Sequence, residues 1–157
     1  MKKKSATLSP KEAISRLMEI CGKAEKSPFE VKKKLKEWGL EAESESILSI
    51  LVKEKFVDPS RFAVSYVHDK LKFNKWGKLK IRYALNGHQI DPEIIEQALK
   101  QIDDEHYSAI IIEELEKKMK TLRETIPYRI KGKLYAFGNQ RGYESEIINR
   151  FFEKKGY

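Results

Sequence analysis

Each of the five prolines in this 157-residue chain stands where an α-helix would begin. Pro10 follows Ser9, Pro28 follows Ser27, Pro59 follows Asp58, Pro92 follows Asp91 and Pro127 follows Ile126. Ser and Asp side chains accept from the free N–H groups of a first helical turn. Pro at the first helical position gives up only an N–H that has no partner there. Ser9 to Glu12 and Ser27 to Glu30 have the spacing of capping boxes. Acids gather at further starts (Glu41, Glu43 and Glu45; Asp103, Asp104 and Glu105), where they complement the helix dipole.

Between these starts the apolar spacing is helical. Ile94, Ile95, Ala98, Leu99 and Ile102 fall on one face, as do Tyr107, Ile111, Leu115, Met119 and Leu122, and then Ile147, Ile148, Phe151 and Phe152. The pattern predicts nine helices, at roughly 9–24, 28–38, 44–55, 58–73, 77–86, 91–102, 104–124, 127–140 and 144–155. They group as three times three. In each group the middle helix ends at a glycine turn, Gly39, Gly87 or Gly142, each suited to the left-handed position that closes a helix. The apolar residues Leu40, Ile90 and Tyr143 follow. The expected fold is all-α: three tandem three-helix repeats forming an elongated, curved array. The divisions are a basic N-terminal tail over 1–8 carrying Lys2, Lys3 and Lys4, then repeats over 9–57, 58–102 and 103–157.

Charge bears on function. The formal net charge is +8, and 36% of residues are charged, so anionic partners are favoured. The bias is concentrated. From Lys70 to Arg82 the chain carries Lys70, Lys72, Lys75, Lys78, Lys80 and Arg82, and no acid occurs between Asp69 and Asp91. Such a stretch attracts a polyanion, with nucleic acid the foremost kind. Phe73 and Trp76, interleaved among these charges, read as packing residues rather than base-stacking platforms. Lys78 and Arg82, four apart on a helix, face one way, and Lys80 faces another. A second acid-free window, Thr125 to Tyr143, holds Arg129, Lys131, Lys133 and Arg141 with Tyr128, Tyr135, Phe137 and Tyr143. Gly132 and Gly138 weaken its helix. Lys32, Lys33, Lys34 and Lys36 are offset by Glu30 and Glu37 and read as solvated.

Catalysis finds little support. Cys21 is the single cysteine, placed in an apolar stripe with Ile14, Leu17 and Met18, so neither an internal disulfide nor a thiolate metal cluster is available. His68, His88 and His106 are scattered, without ligand spacing. Nucleophile elbows and phosphate-binding glycine loops are missing. No catalytic, cofactor-binding or metal residue is assigned, and no cofactor is expected. The basic N-terminus lacks a following apolar segment, and no run is long enough to span a bilayer, so a cytoplasmic protein is expected.

An ordered set of segments then carries a resemblance over nearly the full length: Phe56-Val57-Asp58-Pro59-Ser60-Arg61-Phe62-Ala63, Trp76-Gly77-Lys78-Leu79-Lys80-Ile81, the turn at Gly87 with Ile90, and Gln140-Arg141-Gly142-Tyr143 ahead of Ile147. The chain resembles the RecX family of bacterial recombination regulators. The resemblance implies an all-helical, non-enzymatic protein that lies along the groove of the RecA–DNA filament. Such a protein inhibits the ATPase, strand-exchange and co-protease activities of RecA. It implies a monomer with the RecA filament as partner, weak direct binding to single- and double-stranded DNA, and no membrane. The basic residues of both windows are the expected contacts, to phosphates or to acidic side chains of the recombinase. The alternative reading is a helix-turn-helix DNA-binding transcriptional regulator, which would prefer a particular duplex site.

Overall fold

The computed structural model describes residues 8–157, so the expected tail, Leu8 apart, lies outside the described residues. Nine helices and no strands occur among them: α1 (Pro10–Lys23), α2 (Pro28–Glu37), α3 (Ser44–Lys53), α4 (Pro59–Asn74), α5 (Lys78–Gly87), α6 (Pro92–Lys100), α7 (Asp104–Thr121), α8 (Pro127–Arg141) and α9 (Ser145–Lys155). All five prolines open helices. The Ser27–Glu30 capping box forms in full. At α1 only half of the box forms: the Ser9 hydroxyl accepts from the Glu12 N–H at 3.2 Å and donates to the Glu12 carboxylate at 3.0 Å, which is thereby turned from the backbone.

The helices assemble as three tandem three-helix units, and the extensive helix–helix packing is within units: α2 on α3, α4 on α6, α8 on α9. Each middle helix buries the same two apolar positions, Val31 and Leu35, Ile81 and Leu85, Ile130 and Leu134. Each closes with the same motif. The N–H groups of Leu40, Ile90 and Tyr143 reach back to the carbonyls of Leu35, Leu85 and Gly138, with a left-handed residue just before them. That residue is Gly39 (φ 78°) in the first unit and Gly142 (φ 84°) in the third. In the second it is Gln89 (φ 60°), which corrects the assignment of this role to Gly87. Leu85 and Ile90 are both buried, and their pairing sets the register of the turn two residues past the glycine. A side chain in this conformation costs roughly 1–2 kcal/mol, which that pairing offsets.

The cores are not equivalent. Ala13, Leu17, Cys21, Val31, Leu35, Leu40, Ile47, Leu51 and Val57 form one cluster belonging to the first unit. The second and third units share a continuous core from Phe62 to Phe152. Cys21 packs as a small apolar residue, and burial pushes its thiol above the usual range.

Candidate functional site

The stretch from Lys70 to Arg82 runs from the last turn of α4 into α5, and its middle is the joint between the second and third units. The N-terminus of α5 sits on the C-terminus of α8. Gly77 N–H donates to the Arg141 carbonyl at 2.7 Å, and Leu79 N–H to the Gly142 carbonyl at 3.1 Å. The Tyr107 hydroxyl accepts from Lys78 N–H at 2.8 Å and donates to the Glu144 carboxylate. The free N–H groups of one helix thus meet the free carbonyls of another, and the two dipoles align head to tail. Tyr143 closes the joint by donating to the Lys75 carbonyl at 2.7 Å. Burial, seconded by the Glu144 hydrogen bond, raises the Tyr107 phenol well above its usual range. Burial likewise pushes Tyr143 up to about 12.

The first and second units meet in the same sense, with different chemistry. Ser27 caps α2, is fully buried, and its hydroxyl lies 3.0 Å from Nδ1 of His88 at the end of α5. Phe29, Phe62 and Tyr66 surround the His88 ring, and Arg61 pairs with Glu25 while donating to the Lys55 carbonyl. The middle helices therefore follow one another end to end, N-terminus on C-terminus, through all three units.

This arrangement gives several of the expected contact residues work inside the protein. Lys78 is half-buried, 3.5 Å from Asp104 and over the Tyr107 ring. Arg82 makes a two-pronged pair with Glu96 at 2.6 and 3.3 Å. That hydrogen bond raises the guanidinium's pKa further and lowers the carboxyl's. Lys80 donates to the Gln140 carbonyl at 3.2 Å and, with Lys70, flanks the Trp76 ring. Arg141 donates to the Asn74 carbonyl at 3.2 Å and lies near Glu114. Lys131 stands over Phe152, and Lys133 pairs with Glu124 at 3.0 Å. Lys72, Lys75 and Arg129 make no ion pair among the described residues.

Lys78 and Arg82 do face one way, toward Asp104 and Glu96, and Lys80 another, as the helical spacing implies. Trp76 packs against the shared core, as expected for a packing residue. Phe73 does not: it is 70% exposed, because the last turn of α4 carries it past the edge of the core. Tyr83 and Tyr128 are exposed to a similar degree. The sequence marks Tyr128 as an aromatic of the second acid-free window, whereas nothing singles out Tyr83 beyond its position off the buried stripe of α5. No group of three or more His, Cys, Asp or Glu placed to hold a metal ion occurs among the described residues, and no described helix is long and apolar enough to cross a membrane.

The two acid-free windows occupy matching places in consecutive units, each running into and along a middle helix, α5 or α8. At the same place in the first unit, α2 carries acids among its lysines, Glu30 and Glu37.

Comparison with known proteins follows the same division. Family models for the second and third three-helix domains of RecX match residues 60–99 and 104–152. The Regulatory protein RecX of Clostridium botulinum strain Eklund 17B is 35% identical over 150 residues, covering 92% of this chain and 68% of that protein. That of Clostridium beijerinckii is 31% identical over 146 residues, with 92% and 67% covered, so the chain spans about two thirds of these relatives' length. The fold is shared with crystal structures of RecX from Lactobacillus salivarius and of a second regulatory protein RecX. For the first, the TM-score is 0.80 at 18% identity, over 92% of this chain and 95% of that one. For the second it is 0.83 at 23% identity, over 92% and 73%. With matching domains in the order of its own units, and clostridial relatives aligned along nearly all of its length, the chain belongs to the RecX family of regulatory proteins.

Proposed function

We propose that this protein restrains the RecA–DNA filament by binding along its groove, without catalysis, as a cytoplasmic monomer. The activities restrained are ATP turnover, strand exchange and co-protease function. The observation that carries the reading is the repetition of charge with structure: consecutive units each carry a basic, acid-free middle helix, set end to end, and Lys72, Lys75 and Arg129 beside and on them make no ion pair among the described residues. A linear run of like-charged surfaces suits a linear, negatively charged partner. Units dividing near residues 57 and 102 would follow such a partner stepwise. Family membership supports RecA as the protein in that partner. Direct DNA binding is weak on this reading and falls with salt. About five neutralised phosphates would give a log–log slope of about −4.

The test adds purified protein to RecA on single-stranded DNA and follows ATP hydrolysis. Turnover falls at amounts near or below stoichiometry; unchanged turnover at excess protein sinks the proposal. Charge reversal belongs at Lys72 and Arg129, which make no ion pair among the described residues. Lys72→Glu with Arg129→Glu weakens inhibition and leaves helicity intact. At Lys78 or Arg82 the same change would also break Asp104 or Glu96 contacts and confuse two effects.

A further inference from the structure

Helix α8 carries two glycines in its interior, Gly132 and Gly138, and their surroundings differ. A Cβ on Gly138 would fall 2.5 Å from Ile148 Cδ1, so α8 packs closely on α9 at that glycine and a side chain there would push Ile148 aside. A Cβ on Gly132 would meet nothing within 4 Å. Glycine is a poor helix former, and here the fold gains nothing for it. What the missing side chain leaves is space. Tyr128, Gly132 and Tyr135 follow at helical spacing on one face, and with Arg129, Lys131 and Lys133 they line a shallow groove of about 500 Å³. Tyr135 is anchored, its ring 5.3 Å from that of Phe152. Tyr128 is 84% exposed. The two tyrosines are about 10 Å apart along the helix, with the glycine as floor between them.

The chemistry of the groove is that of a flat ring beside a negative charge. One aromatic wall packs on the core, and the other stands in solvent. Lys131 is held over Phe152 and Lys133 by Glu124, whereas Arg129, next to the exposed tyrosine, makes no ion pair among the described residues. Stacking of a base between aromatic faces, with cations on the adjoining phosphate, is how single strands are bound without regard to sequence. A duplex keeps its bases stacked inside and cannot enter. We propose that this notch on α8 is a stacking site for one unpaired base of single-stranded DNA, with Tyr128 and Tyr135 as walls and Arg129 on the backbone phosphate.

The inference deepens the filament reading and rests on it for the class of polyanion, so the test uses DNA alone, without RecA. Anisotropy of a dye-labelled oligothymidylate is titrated with the intact protein, beside a labelled hairpin duplex. Tyr128→Ala weakens oligothymidylate binding about tenfold and leaves duplex binding within about twofold. Tyr128→Phe, which keeps the ring, binds like the native protein. Gly132→Ala fills the floor and also weakens single-strand binding, while raising Tm by about 2–4 °C because alanine is the better helix residue. Loss of affinity with gain of stability cannot come from damage to the fold. The proposal is overturned if native protein binds no oligothymidylate, if Tyr128→Ala binds it normally, or if strand and duplex weaken alike. None of these outcomes bears on whether the native protein lowers RecA turnover.

Discussion

Gly77 lies directly against Gly142: a Cβ added to Gly77 would fall 2.2 Å from the Gly142 carbonyl oxygen, and one added to Gly142 would fall 2.3 Å from Lys80 Cβ. Two helix ends approach this closely only where both lack side chains, and the approach makes the hydrogen bonds from Gly77 and Leu79 possible. Gly77→Ala therefore forces the joint open. Urea denaturation should show a loss of about 2 kcal/mol or more, the scale of an overpacked core. Gly87→Ala is the control. A Cβ there meets nothing, and its backbone is helical, so stability rises by about 0.5–1 kcal/mol.

Tyr107 caps a helix of the preceding unit. Tyr107→Phe keeps the ring in the core, but leaves Lys78 N–H without its acceptor and Glu144 without its donor. The expected cost is about 1–3 kcal/mol by urea denaturation. An unchanged midpoint would mean that water replaces the hydroxyl at no loss.

The same joint makes the fold sensitive to alkali. Tyr107 and Tyr143 both ionise less readily folded than unfolded. A phenol with a raised folded value contributes its full stability below the unfolded value of about 10, and loses it as pH climbs through the folded value. Stability should therefore fall from about pH 10 upward, reaching pH values near 12 before Tyr143 is spent. Urea midpoints on either side of pH 10 measure the drop. The Tyr107→Phe, Tyr143→Phe double variant, having no such phenols, shows a shallower one.

The separate core of the first unit predicts separate unfolding. Trp38 packs on that core and Trp76 on the one shared by the other two units. In single-tryptophan backgrounds, Leu35→Ala should lower the transition reported by Trp38 by about 2–5 kcal/mol and leave that reported by Trp76 in place. If both transitions move together, the Ser27–His88 joint couples the units more tightly than its contacts imply.

Much of the architecture was legible along the chain because its causes are local. Proline after Ser or Asp starts a helix whatever surrounds it, and the apolar period names the buried face, so all nine helices lie within a few residues of their expected ends. Family membership was legible for a related reason: segments at repeat spacing are themselves sequence. The site was less so. Gly87 lost its place to Gln89 because burial of Leu85 with Ile90, not the glycine, sets the turn.

Charge shows the division most clearly. A run of lysines and arginines without acids is a property of sequence, and it marked the α4–α5 and α8 regions. Which of those cations are engaged within the protein is settled by residues elsewhere along the chain: Asp104 for Lys78, Glu96 for Arg82, the Gln140 carbonyl for Lys80. The exposure of Phe73 and the open floor at Gly132 are likewise facts of packing. Sequence determined the helices, their threefold order and the sign of their surface, because each depends on neighbours within a few residues. Only the tertiary structure decided which charges and rings stay free, because that depends on what the folded chain brings within a few ångströms.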